Sequence, residues 1–525
     1  MTKSPIQGPA GGLSRRGLLQ GASALGAAAL ILPAGARRAR AQPQRGGVLR
    51  IAMGHGNTSD SLDPGSWDNA YVQVMAQSMH NYLTEIDAEG NLVPEIAESW
   101  EASADGATWA FRIRSGVTFH SGKTVTAEDV AASVDYHRGE DSTSAAKPIV
   151  EAITDIRVDG DMVIFTLEAG NADFPFIMSD YHIPVKPAVD GRIDPASRDG
   201  CGPYVMEVFE PGVESRFTRF SDHWKGDARA HFDGIELLPI IDAAARQNAL
   251  MSGEVDVIDR VDLNTVGLLQ RSGDIRIISV PGTQHYTFVM DSRQPEFADV
   301  NVRLALKYAV DREELVSKIL NGFGTVGNDS PIGPANRFFA AEMEQRVFDP
   351  DRARFHLREA GLDSLTVSLS TSEAAFGGAV DAAVLYSESA AQAGITINVA
   401  REPADGYWSN VWMQKPFVTS YWGGRPTEDW MFSTGYASDA PWNETHWNNE
   451  RFDMLLREAR SELDEDRRRE MYVELQRIVR DEGFTVIPMF ANYVMATSSR
   501  VQTPETIGSN WTMDGFRAVE RWWFA

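Results

Sequence analysis

Leu365-Thr366-Val367-Ser368-Leu369, the segment Phe376 to Ala393, and Ile395-Thr396-Ile397-Asn398-Val399 decide the architecture. Two short apolar runs flank a longer segment with the pattern of a helix, which Gly394 closes. Strand, helix, strand in that order is a βαβ unit, so the two strands are expected to run parallel. A third run, Phe417 to Trp422, follows and enters Gly423-Gly424-Arg425-Pro426-Thr427. Ligands of α/β layers bind beyond the carboxyl ends of the strands. Glycines there also let a backbone approach a ligand closely. The 423–427 loop is therefore the first candidate site.

The α/β texture extends both ways from this unit. Upstream, Val302 to Leu320 is expected as one amphipathic helix, and Asp351 to Ala360 as a helix stopped by Gly361. Downstream come helices Arg451 to Leu463 and Asp466 to Arg480, then a strand, Phe484 to Ile487, ending before Pro488. The first 300 residues are richer in strands: Val48 to Ala52, Thr108 to Arg114, Met162 to Leu167, Tyr204 to Phe209, Ser215 to Phe220 and Gly234 to Ile240. A helix is expected from Asn69 to Leu83, capped by Asp68 or Asn69, another opened by Thr126 with Asp129 three positions on, and a third from Ala243 to Ser252. A β-rich half and an α/β half, with the last strands returning toward the first, outline a two-lobed protein with a cleft.

Composition bounds the function. The 525 residues are 43% hydrophobic and 23% charged, a globular balance. Leu18 to Pro33 is apolar but too short and Ala/Gly-rich to span a bilayer comfortably. Arg15-Arg16 precedes it and Ala39-Arg40-Ala41 follows, as in an export signal of the twin-arginine type. Residues 1–41 are thus expected to be removed, with the remainder soluble in the periplasm and not inserted in the membrane. They hold six Lys/Arg and no Asp/Glu, so cleavage takes the net charge from −25 to −31. Such a surface repels nucleic acid and anionic lipid, and an anionic ligand would need a dedicated cation. The single cysteine, Cys201, excludes an intrachain disulfide.

Catalytic and cofactor signals are weak. Gly322-Phe323-Gly324-Thr325-Val326-Gly327 matches a dinucleotide fingerprint but follows a helix instead of opening one. Gly122-Lys123-Thr124 lacks the P-loop glycine at 117, which is Val117. No nucleophile elbow, HExxH or zinc-spaced Cys/His cluster occurs. No enzyme activity, cofactor or metal is expected.

Several stretches resemble the peptide/nickel class of ABC-transporter solute-binding proteins (dipeptide- and oligopeptide-binding, solute-binding family 5). They are Leu92 to Trp100, Trp109 to Gly122, Thr126 to Val130, Gly202-Pro203-Tyr204, Val302 to Ala305 with Asp311-Arg312, and Asp349 to Gly361. The likeness implies an α/β periplasmic-binding-protein fold (type II, cluster C) with a strand-rich subdomain inserted in the first lobe. It implies lobe I at 42–88, 205–295 and 490–525, the insert at 89–204, and lobe II at 296–489. It also implies transport: a monomer that hands a small ligand to an inner-membrane ABC permease.

Relatives that bind dipeptides carry an aspartate soon after the tryptophan corresponding to Trp422, where it receives the peptide ammonium. Arg425 occupies that place here. An arginine repels ammonium and pairs with carboxylate or phosphate. The expected ligand is therefore acidic: opine-like, an aminopolycarboxylate, or an acidic sugar or peptide derivative. The alternatives are a conventional di- or oligopeptide, and a non-transport role as exported enzyme or sensor subunit. Arg425 could instead pair with Glu428 or Asp429 and be structural. Trp408, Trp422 and Trp442 are expected to face ligand with Gly423 and Gly424, while Trp412 and Trp447 fit a core. Asn69, Tyr71, His285 and Tyr286 complete the candidate set.

Overall fold

The computed structural model describes residues 43–440 and 442–525, so the expected signal peptide lies outside the described residues. The strands Leu365–Thr371 and Ile395–Arg401 run parallel and in register from end to end, with helix Ala379–Ala391 as their crossover. They form one side of a six-stranded sheet whose order is Gly324–Val326, Thr485–Ala491, His285–Met290, Phe417–Trp422, Leu365–Thr371, Ile395–Arg401. Its core includes Phe288, Leu369, Tyr386, Phe417 and Leu475.

A seven-stranded sheet is built around Val48–Met53, which pairs in parallel with Gly234–Pro239 and Val257–Ile258. Helix Ala70–Met79 packs Tyr71 and Met75 into this sheet's core with Leu237 and Trp522. In sequence, between Val48–Met53 and this sheet's next strand, Tyr204–Glu210, lies a four-stranded antiparallel sheet over 97–167, with Trp109, Phe111, Phe165 and Phe174 in its own core. The expected mixed α/β fold with a strand-rich insert is what the chain adopts. Among the described residues no helix is long and apolar enough to cross a membrane.

The chain crosses between the two large sheets at 281–284 and at Asn492. The two crossings run side by side: Ala491 N donates to Gln284 O at 2.9 Å. A Cβ on Gly282 would lie 2.5 Å from Ala491 O, so the backbones can approach this closely only with glycine there. The boundaries expected at 295/296 and 489/490 do not follow the sheets, since His285–Met290 and all of Thr485–Ala491 belong to the six-stranded one. Pairing with the distant Phe417–Trp422 strand decides this, and no local pattern carries it.

Two other expectations change. The 302–320 segment is two helices, Val300–Tyr308 and Arg312–Ile319, because Asp311 caps the second through Glu314 N. The last strand of the six-stranded sheet runs through Pro488 instead of stopping before it. The register with His285–Met290 shifts there, and a proline fits a bulge, where its missing N–H costs no ladder bond.

The insert touches the helices of the six-stranded sheet directly. Asp173 pairs with Arg468 at 2.5 Å with both side chains buried, and Ala172 N donates to Arg460 O.

Candidate functional site

The Phe417–Trp422 strand presents two faces at its carboxyl end, because alternate side chains point to opposite sides. On one face, Trp422 stands opposite His285 in the ladder. Trp422 is buried, and its indole N–H donates to Glu444 at 2.9 Å. Trp412 donates to the other oxygen of the same carboxylate at 2.6 Å. Burial raises the Glu444 pKa, and the indole donors oppose that shift. His285 is fully buried; burial pulls it down to about 4, with Arg425 acting in the same direction. Its Nδ1 contacts Thr283 O at 3.2 Å.

On the other face, Tyr421 stands opposite Tyr286. Tyr286 stacks on Phe376 with ring centroids 4.1 Å apart, and Trp408 meets Tyr421 edge-on at 5.7 Å. Trp408 and Tyr421 are both exposed.

Beyond the strand, a Cβ on Gly424 would sit 1.7 Å from Thr283 Oγ1. Only glycine lets the loop abut the first crossing segment. Arg425 follows, half-buried, with Nη1 donating to the carbonyls of Gly423 and Gly424 at 3.2 Å. Its guanidinium lies 6.0 Å from the Trp422 ring. Among the described residues it has no carboxylate within 4.0 Å. The alternative pairing with Glu428 or Asp429 is not made: Glu428 accepts from Phe338 N, and Asp429 is held by Arg460. Burial lowers the Arg425 pKa, against the pull of Tyr181 and Asp180. Arg425 borders a cavity of about 370 Å³ that is also lined by Arg337, Glu428, Asp173, Thr283 and Asn510. These residues come from the insert, the crossing segment, the C-terminal stretch and the six-stranded side. The cavity thus lies where the parts meet.

The structure thus gathers Arg425, Trp422, Gly423, Gly424, His285, Tyr286 and Trp408 around one strand end. Trp442 is exposed, 6.1 Å from the Trp422 ring. Asn69 and Tyr71 are elsewhere. Asn69 caps helix Ala70–Met79 and donates to Asp60 and Asp68. Tyr71 is fully buried in the first sheet's core, its hydroxyl bonded to Ser215 and Leu237 O. Trp447 is core as expected, while Trp412 is half-buried against it.

Among the described residues, Glu85, Glu95 and Glu520 are close enough together to share a metal ion. Lys225 Nζ already lies 2.7, 2.7 and 2.8 Å from the three carboxylates, and Arg517 and Arg521 complete the cluster. The ammonium fills the position a metal would take.

Residues 91–444 match the family described as bacterial extracellular solute-binding proteins, family 5, middle region. A glutathione-binding protein of Pectobacterium atrosepticum is 23% identical over 444 residues, covering 80% of this chain and 84% of that protein. A dipeptide-binding protein of Escherichia coli is 24% identical over 465 residues, covering 78% and 83%. The structure of a binding protein from A. tumefaciens R10 in complex with agropinic acid superposes with a TM-score of 0.70 at 21% identity, covering 91% of this chain and 99% of that one.

Proposed function

This chain belongs to the bacterial extracellular solute-binding proteins of family 5, and from that premise we propose that it captures a small acidic molecule at the end of the Phe417–Trp422 strand and delivers it to an ABC importer. In this reading the two large sheets are the cores of two lobes that close over the ligand, hinged at 281–284 and Asn492. Arg425 receives the acidic group, the aromatic side chains give apolar contact, and no catalytic step is assigned. Export through the 1–41 segment would place the mature protein in the periplasm.

One observation carries the reading. In a chain of net charge −25, a half-buried arginine at the candidate site has carbonyls beside it and no carboxylate within 4.0 Å. A cation withdrawn from water needs a counter-charge, and an incoming carboxylate supplies one in the two-pronged geometry arginine favours. Two similar proteins fit the same chemistry: glutathione and agropinic acid both carry carboxyl groups.

Mass spectrometry of the molecule that copurifies with the protein tests the class. An acidic compound is expected, and an amine-terminated peptide seated with its ammonium beside residue 425 would sink the proposal. Arg425→Ala should weaken binding of that compound by about tenfold or more, since a charged hydrogen bond is worth roughly 1.5–3 kcal/mol. A loss below about threefold, read by calorimetry, would remove Arg425 from the role.

A further inference from the structure

The cavity beside Arg425 is bordered by a second guanidinium. Arg337, half-buried, lines the same space of about 370 Å³ from a loop that turns at Gly333. Gly333 N donates to Asn336 Oδ1 and Asn336 N to Gly333 O, both at 2.9 Å, and Arg337 follows this turn directly. The residues after it are pinned: Gln476 donates to Phe338 O at 2.8 Å and accepts from Ala340 N at 3.1 Å. Phe338 N donates to Glu428 at 2.8 Å, so the backbone next to Arg337 is bonded to the side chain three positions after Arg425. The Arg337 guanidinium lies 4.5 Å from the Phe338 ring and 5.1 Å from that of Phe176, which also borders the cavity. Aromatic contact of this kind steadies a guanidinium through its flat face and leaves its N–H groups for an anion.

The acidic groups bordering the cavity leave most of this positive charge unanswered. Asp173 is paired with the buried Arg468 at 2.5 Å. Burial raises Glu428 to about 7, so near neutral pH much of it is uncharged. Glu89 is exposed, where water and salt screen it. Arg337 itself is ion-paired with Glu465, but that carboxylate is 74% exposed and does not border the cavity. An exposed pair contributes little, so a carboxylate entering the cavity can take the guanidinium from Glu465. Arg425 has only backbone carbonyls beside it. The space therefore presents two guanidinia and little opposing charge.

We infer that Arg337 is a second anion-receiving residue of this cavity, and that the ligand carries two acidic groups, one received by Arg425 and the other by Arg337. This inference rests on the proposed role of Arg425 and narrows it from an acidic ligand to a diacid. The shared volume of about 370 Å³ confines that diacid to a small molecule, and Phe176 and Pro426, which border the same space, suit an apolar linker between its acidic ends.

The test uses the purified protein, calorimetry, and named probes: the α,ω-dicarboxylates from succinate to pimelate, each beside its monomethyl ester. The expected result is a diacid bound at least about tenfold tighter than its monoester. Arg337→Gln should shrink that ratio to within about twofold and leave monoester affinity unchanged, whereas Arg425→Gln should weaken both. Glu465→Gln, a change at an exposed position that frees Arg337, should tighten the diacid about two- to threefold and leave the monoester alone. An undiminished ratio in Arg337→Gln, or a diacid affinity that Glu465→Gln does not raise, overturns the inference and leaves the Arg425 role standing. So does a wild-type protein that binds diacid and monoester alike, or binds none of the probes. Tight binding that Arg425→Gln leaves unchanged overturns both.

Discussion

Lys225 and Arg425 are both cations withdrawn from water, and their surroundings are opposite. Lys225 touches three buried carboxylates within 2.8 Å, and the neighbouring Arg517 bonds to two of the same three, Glu95 and Glu520. Arg425 has two backbone carbonyls and a cavity. The first arrangement is self-sufficient, because every charge meets its opposite inside the protein. The second has no opposite charge within 4.0 Å among the described residues, and in the proposed function the ligand supplies it. Burial alone therefore does not single out Arg425; the missing counter-charge does, and the proposed function rests on it.

Stripping a cation from the self-sufficient cluster should have the largest effect. Arg517→Met leaves Glu95 and Glu520 sharing the remaining cations, and should destabilise the fold by about 3–5 kcal/mol in denaturant unfolding. A loss under about 1 kcal/mol would mean that the cluster is not the closed unit described. Arg425→Ala should do the reverse. Its stability should change by less than about 1 kcal/mol, since only two weak carbonyl contacts are lost, while ligand affinity falls. A variant equally damaged in both readouts would erase the contrast between the regions.

A smaller effect concerns Glu428, at the rim of the Arg425 cavity. Burial raises its pKa from 4.5 to about 7; Asp173 adds to the rise, while the Phe338 N–H and Arg468 oppose it. A folded pKa above the unfolded one means that the folded state binds more protons between the two values. Stability from this group is thus fully present below about pH 4.5 and is lost as pH rises through about 7. Glu428→Gln should flatten that part of the stability profile. An unchanged slope would show that the carboxyl titrates as an exposed one does.

Much of the fold was legible because local chemistry and tertiary structure agree. The 365–399 unit, helix Ala243–Ser252 with its Gly253 end, and the Phe417–Trp422 strand all follow from period and punctuation. Disagreement arises where a distant contact or a single side chain decides. Asp311 interrupts an otherwise continuous apolar stripe. Pro488 sits inside a strand because the opposing register shifts. Asn69 carries an N-cap signal that is equally visible whether the side chain serves the helix or a ligand, and here it serves the helix. Arg425 could be found from its place after a strand and two glycines. Contacts between distant side chains could not, since they leave no period in the sequence. Glu444 was equally silent in the sequence, although it anchors two of the tryptophans named there.

That anchor gives the protein a built-in optical gauge. Trp412 and Trp422 share one buried carboxylate, and the Trp422 ring lies 6.0 Å from the Arg425 guanidinium. An indole's emission colour depends on the electric field across its ring, and the Arg425 guanidinium is a charge close to the Trp422 ring. If an anion neutralises that charge, as the proposed function has it, the field at Trp422 changes even if no backbone atom moves. Fluorescence would then register occupancy of the cleft separately from its closure.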